Sequence, residues 1–373
     1  MHFRLFCFLY LFLHSLLESS VKAQILDDKP TMEVVQRGID HIYNYEFAEA
    51  DALRRKVQVR YPGHPVTHFM AAFQMYWQYL PIKDNKTKVS EYIRNLNNCL
   101  AAVEKQYGKN SEHPEAIFFR LAARGYLALM YNYQDERLKA AGEGQKAYSN
   151  LTEALKLTEQ NSEFLFVTGT YNYYVEAYPE DHAIVRPLMI FFKDGNKNLG
   201  LKQLNLATKR AVITKVEAAY FLTQTYLDHE SRPDLAAKYT DQLVSAYPKN
   251  PIFRMIHVQS LLLAGRYAEA ESELPELKKQ NNGFFPITWR YFDGYLQEKK
   301  YHNDTTAQNY YLAALKTPYD AQYTKEYHAM SYAGLARIAD RSGNKQKAKE
   351  HYKKCLDLAQ YKSVIGEAKR YLK

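Results

Sequence analysis

From Pro65 onward the chain repeats one hydropathy pattern. Apolar residues recur three and four positions apart for about fourteen to twenty residues, then polar or helix-breaking residues intervene, then the pattern resumes. That spacing puts the apolar side chains on one face of a helix. PVTHFMAAFQMYWQYL (Pro65–Leu80) predicts one helix and VSEYIRNLNNCLAAVEKQY (Val89–Tyr107) its partner. Glu115–Tyr133 pairs in the same way with Glu136–Thr158, and Ser162–Tyr178 with Lys197–Arg210. The short joints within pairs require antiparallel neighbours.

In the second half the pattern acquires a fixed length. Glu217–Asn250 and Pro251–Phe284 are consecutive blocks of 34 residues, each holding two amphipathic segments. Ala236, Thr240, Leu243 and Pro248 mark the second helix of the first block; Gly265 and Ala270 mark the turn and second helix of the next. Near the start, Gly38, Ala50 and Pro62 stand twelve apart, and near the end Leu335, Ala336, Gly343, Ala348, Tyr352 and Cys355 repeat the cadence. Small residues suit the points where two helices cross closely, glycine or asparagine suits the tight turn, and proline stops the second helix.

This spacing resembles the tetratricopeptide repeat, whose turn and second-helix start are matched by GRYAEA (Gly265–Ala270) and GNKQKA (Gly343–Ala348). The resemblance covers about residues 31–64, 217–250, 251–284 and 329–362, with a degenerate copy at 285–318 that needs a one-residue insertion. It implies an all-α solenoid of about eight antiparallel helix pairs, closed by a C-terminal capping helix at Ser363–Leu372, with a concave groove along the first helices. The expected organisation is a leader at 1–23, divergent helix pairs over 24–210 and a repeat array over 211–373. Some members of the family grip a C-terminal carboxylate with Lys, Asn and Arg from successive first helices. The positions expected to face the groove here, Phe221, Thr225, Met255 and Gln259, lack Lys and Asn, which points to a mixed or apolar groove.

One segment interrupts the pattern. YPEDHAIVRPLMIFFKDGN (Tyr178–Asn196) stands where a short turn is due, about a dozen residues too long. Pro179 is expected to end the preceding helix and Asp194-Gly195-Asn196 to turn into the next. Five large apolar side chains in a row are worth roughly 8–12 kcal/mol if buried. The insertion at 179–195 is therefore expected to pack: as a plug between helix pairs, as a lid over the groove, or against a membrane surface or partner. Tyr171, Tyr174 and Tyr178 share a helical face just before it, and Asp181 and His182 follow. They form a candidate ligand floor, or ordinary inter-repeat packing.

Composition narrows the function classes. Arg4, the apolar run Leu5–Leu17 and the small residues of Val21–Ala23 have the form of a secretory signal cut between Ala23 and Gln24. The apolar run is shorter than a membrane span needs, and no later stretch would cross a bilayer. The expected place of work is the periplasm or outside the cell. The net charge of +9 is concentrated at the end, where Arg341–Lys373 holds ten Lys or Arg against three Asp or Glu. Export makes nucleic acid an improbable partner and leaves this as a solvated end helix. Of three cysteines, Cys7 leaves with the signal; Cys99 and Cys355 fall at apolar helical positions, as buried thiols or a bridge. GEGQKA (Gly142–Ala147) fits a dinucleotide loop in letters only, because helix rather than strand precedes it. No metal-ligand spacing and no nucleophile elbow is present in the sequence, so neither metal nor cofactor is expected. Thirty-three tyrosines suit either narrow helix–helix cores or a binding surface. The reading that follows is an exported scaffold that binds a cell-envelope protein through its groove without catalysis. The alternative is a small-molecule or glycan binder with a tyrosine-rich pocket covered by 179–195.

Overall fold

The computed structural model describes residues 24–26, 28–181, 186, 187, 189, 190 and 192–373, and of Asp181 the backbone alone. The signal segment and His182 lie outside the described residues. Among those described there are seventeen α-helices and no strand. They form eight consecutive pairs: α1 (Lys29–Tyr43) with α2 (Phe47–Arg60), α3 (Pro65–Gln78) with α4 (Lys86–Tyr107), α5 (Pro114–Tyr133) with α6 (Arg137–Leu157), and α7 (Phe164–Asp181) with α8 (Lys197–Arg210). Then come α9 (Lys215–Asp228) with α10 (Pro233–Ala246), α11 (Pro251–Leu263) with α12 (Tyr267–Leu277), α13 (Phe285–Lys299) with α14 (Asp304–Leu315), and α15 (Lys325–Arg341) with α16 (Lys345–Leu358). The final helix, α17 (Lys362–Leu372), closes the stack. The all-α helical-repeat architecture is that implied by the 34-residue period.

Local chemistry sets the helix starts. Proline occupies the first turn of α1, α3, α5, α10, α11 and α13, where its missing N–H costs nothing. Asn250 accepts from the N–H groups of Ile252 (3.0 Å) and Phe253 (3.1 Å), and Asn303 from that of Thr306 (3.0 Å). Six of the turns within pairs hold one left-handed residue. At Gly265 and Gly343 glycine supplies it, but Tyr45, Asp135, Ser231 and His302 adopt the same sign of φ without glycine. The pairs close on small residues. A Cβ at Gly200 would lie 2.6 Å from the Tyr173 nitrogen, and one at Gly38 2.5 Å from Met70 Cε. Cys99 and Cys355 are both buried free thiols, far from solvent and inert.

The curl of the stack is tighter than an open concave groove requires. Its first pair meets its middle. The Tyr247 hydroxyl donates to Asp40 Oδ1 (2.6 Å), Asn250 Nδ2 to the Tyr43 carbonyl (2.8 Å), and the Lys249 N–H to Asn44 Oδ1 (3.2 Å). Lys249 Nζ also pairs with Glu46 at 2.7 Å. Farther along, Lys83 pairs with Asp320, and Gln134 Nε2 donates to the Lys83 carbonyl at 3.1 Å. Between these ties the inner faces meet through aromatic rings. Trp77 of α3 lies 5.5 Å from Phe253 of α11 and 6.2 Å from Tyr220 of α9, while Tyr43 lies 5.3 Å from Phe73. The expected groove is therefore not one continuous open channel. Large apolar rings on the inner helices drive the coil to bury its own concave face.

The segment between α7 and α8 also departs from expectation. Pro179 does not end α7, which continues to Asp181 with the proline in its last turn. The proline forfeits only the bond to the Val175 carbonyl there. The described residues of the insertion run along α6 and α7. Phe192 packs edge-on to Tyr148 (5.0 Å between rings), whose hydroxyl accepts from the Lys193 N–H at 3.0 Å. Ile190 is 80 % exposed and Phe192 40 %, so the expected burial of the apolar run is not met by these members. Main-chain bonds to tyrosine hydroxyls, rather than side-chain burial, hold this part in place.

Candidate functional site

Helix α9 passes through the middle of the coil and carries one stripe that faces inward. Glu217, Tyr220, Gln224 and Asp228 are three, four and four apart, hence one helical face. Glu217 accepts from the Tyr43 hydroxyl at 2.8 Å, and Tyr126 of α5 offers a second hydroxyl. Burial raises the Glu217 carboxyl above its usual range, and the two phenols pull it part of the way back. Tyr220 packs on Trp77 and Phe253. Asp228 is driven well up by burial and by the charge of Glu326. Glu326, at the start of α15, accepts from the Gln360 N–H (2.5 Å) and the Tyr361 N–H (3.4 Å), yet burial still pushes it to about 7.

Tyrosines fill the space between these acids. Tyr76 of α3 lies 6.0 Å from Tyr126 and 6.3 Å from Tyr92. Tyr327 donates to Gln259 Oε1 at 2.8 Å, and Gln259 Nε2 reaches the Tyr361 hydroxyl at 2.7 Å. Tyr323 stacks on Phe284 at 4.8 Å with the Lys83 ammonium 5.7 Å from its ring centre. Glu217, Asp228, Tyr76, Tyr133, Tyr220 and Tyr323 all keep some accessible surface. Four buried polar atoms on this face have no hydrogen-bond partner: Trp77 Nε1, Tyr92 OH, Asp228 Oδ1 and Tyr323 OH. Each such atom costs about 1–3 kcal/mol unless water or a ligand satisfies it.

Away from this face, a cavity of about 260 Å³ lies where α9, α11, α13 and α15 meet α17. Its most prominent charge is already satisfied. Arg337 gives Nε (2.7 Å) and one terminal nitrogen (2.8 Å) to Glu298, and the other terminal nitrogen to Glu367 (2.9 Å). That geometry holds Glu298 down to about 2, although burial alone would raise it. The cavity is a fixed junction between the last pairs and the capping helix.

The residues singled out from the sequence fall in different places. Tyr171 leaves the expected stripe: its hydroxyl donates to the Lys193 carbonyl at 2.5 Å. Tyr174 packs on Phe221 and His229, each 5.3 Å away, and its hydroxyl meets Thr225. Tyr178 is partly exposed, Asp181 is described by its backbone alone, and His182 lies outside the described residues. Thus Tyr174, Phe221 and Thr225 come together, at the seam between the fourth and fifth pairs. Met255 is buried in α11, and Gln259 does face inward, held by two tyrosines. The inward stripe of α9 sits one residue back from Phe221 and Thr225, a rotation of about 100°. Its signal was the 3-4-4 spacing of Glu217, Tyr220, Gln224 and Asp228.

Among the described residues no group of three His, Cys, Asp or Glu is placed to hold a metal ion, and no helix is long and apolar enough to cross a membrane. No family model matches the chain, and no curated protein does. Solved structures similar in form include yeast Tom70, at 14 % identity over 82 % of this chain, with a TM-score of 0.38. The chain spans 64 % of that protein's length, under two thirds. A tetratricopeptide repeat protein from Parabacteroides merdae is 13 % identical over 81 % of this chain and 98 % of its own, with a TM-score of 0.35. The human IFIT1 dimer with PPP-AAAA is 15 % identical over 84 % of this chain and 71 % of its own, with a TM-score of 0.39. These are similarities of helical-repeat form only.

Proposed function

We propose that this chain is an exported helical-repeat scaffold, cut between Ala23 and Gln24, that binds a protein partner of the cell envelope and catalyses no reaction. The observation that carries the reading is the set of unpartnered polar atoms on the inner face, at Trp77, Tyr92, Asp228 and Tyr323. A protein that only needed to fold would gain by pairing or replacing them. A partner that enters the coil would complete them.

The test is capture from envelope extract on immobilised residues 24–373, compared with Tyr220→Ala and Gln224→Ala chains. Both substitutions lie on the inner stripe and leave the outer surface unaltered. A partner retained by the unaltered chain and lost from both variants is the expected result. Equal retention by all three would refute inner-face recognition. The second reading, a small-molecule or glycan ligand, is favoured by the partly accessible tyrosines of the same face. It predicts that purified glycans raise the melting temperature with no protein partner present, and that Tyr220→Leu abolishes the rise.

A further inference from the structure

The inner face holds acids without bases. Glu217 and Asp228 lie on one stripe of α9, and Glu326 faces Asp228 from α15. Among the described residues no Lys or Arg side chain forms an ion pair with any of the three, although the chain carries fifty such residues and pairs many of them elsewhere. Glu217 is met by tyrosine hydroxyls, Glu326 by main-chain N–H groups, and Asp228 Oδ1 by nothing. A second observation is independent of the acids. Trp77 is only 3 % exposed, its indole N–H has no partner, and its ring lies 6.2 Å from that of Tyr220; the Tyr323 hydroxyl, within electrostatic reach of Tyr220, is likewise buried without a partner. The chain also shows the pairing this face favours: at its rim the Lys83 ammonium sits over the Tyr323 ring, steadied by Asp320.

Aromatic rings attract cations through their negative faces, most strongly where water is excluded, and a nearby carboxylate supplies the balancing charge. We infer that the inner face is a binding site for an organic cation, an ammonium or guanidinium group held among Tyr220, Tyr323 and Tyr327 with Asp228 as its counter-ion. This rests on the inner-face reading above and names its chemistry. The cation comes from a Lys or Arg side chain of the partner or from a free amine.

The site links binding to protons. Asp228 is surrounded by Glu326 and Tyr327 of α15, Tyr361 before α17, Tyr174 of α7 and its own Tyr220, and Lys325 acts on Glu326. Empty, the site favours the protonated acid. A bound cation needs the carboxylate, so binding releases a proton and tightens as pH rises, by up to about tenfold per pH unit.

The experiment is calorimetric titration of residues 24–373 with choline chloride, with an N-acetylated decapeptide bearing one lysine, and with the same acetylated peptide bearing norleucine. Potassium chloride matches the ionic strength throughout. Expected is binding of choline or the lysine peptide that strengthens from pH 6 to pH 8, with the norleucine peptide silent. Asp228→Asn weakens it at least about tenfold, as does Tyr220→Leu, each with an unchanged helical circular-dichroism spectrum. Lysine peptide tighter than choline assigns the cation to a partner's side chain; the reverse order assigns it to a free amine. No binding of either cation beyond the salt control, or equal affinity in Asp228→Asn, overturns the proposal. Partner capture that survives Asp228→Asn but fails in Tyr220→Ala would overturn the cation and keep the inner-face reading.

Discussion

Glu163 offers a sharp test of how the pairs are joined. It lies just before α7, is 4 % exposed, and serves the start of α9 two helices away. Its carboxyl accepts the main-chain N–H groups of Val212 (2.6 Å), Ile213 (3.1 Å) and Thr214 (3.1 Å), and the Thr214 hydroxyl at 3.2 Å. One side chain thus does for α9 what a capping residue does in cis. Glu163→Ala leaves three buried N–H groups without an acceptor. At the low end of about 1–3 kcal/mol each, the loss is about 3 kcal/mol. Glu163→Gln keeps one carbonyl oxygen and costs about 1 kcal/mol. Burial raises the Glu163 carboxyl against the pull of the N–H groups. A raised acid contributes stability below its unfolded pKa and loses it as pH rises through the folded value. The deficit of the alanine variant is therefore larger at pH 5 than at pH 8. Urea unfolding followed by far-ultraviolet circular dichroism reads both numbers. An alanine variant within about 0.5 kcal/mol of the parent at pH 5 would refute the reasoning, because surface substitutions cost that little.

Two further outcomes follow from packing and charge. Gly334→Ala drives a Cβ to 2.3 Å from the Tyr311 ring, which is fully buried and tied to Glu298 at 2.8 Å; the expected loss is about 3 kcal/mol in urea unfolding, and Gly142→Ala, in open space, costs none of it. Glu326, raised from 4.5 to about 7, adds stability below pH 4.5 that is lost by pH 7, so Glu326→Gln should flatten the fall in melting temperature over that window, as scanning calorimetry would record.

Much of the fold was legible because each repeat is local. Helix periodicity, the prolines at helix starts and the small residues of Gly38 and Ala50 act within one pair or between neighbours, and all are visible in the sequence. Turns at Tyr45, Asp135, Ser231 and His302 were less so, since their left-handed residue is not glycine and the surrounding pair imposes it. The closure of the coil was not legible. Curvature accumulates from small rotations between pairs, and nothing near Asp40 signals that Tyr247 will reach it. The candidate site suffered for the same reason. The repeat resemblance puts Phe221 and Thr225 toward the groove, whereas Phe221 packs on Tyr174 of the preceding pair and Tyr220 packs on Trp77 at the inner face. Apolar content alone does not say where the segment at 179–195 packs: Ile190 stays in solvent while Phe192 rests on Tyr148.

Recognition at the inner face depends most on the coil closing upon itself, since that closure brings α1, α3, α9 and α11 together around it. A double-mutant cycle across the tie between Asp40 and Tyr247 tests it directly, in residues 207 positions apart whose hydroxyl and carboxylate meet at 2.6 Å. Asp40→Ala, Tyr247→Phe and the pair together, each unfolded in urea, should give a coupling of about 1.5–3 kcal/mol, the value of a hydrogen bond to a charged acceptor. Strictly additive losses would mean that the first pair stands clear of the turn after the fifth in solution, and the closed inner face would go with it.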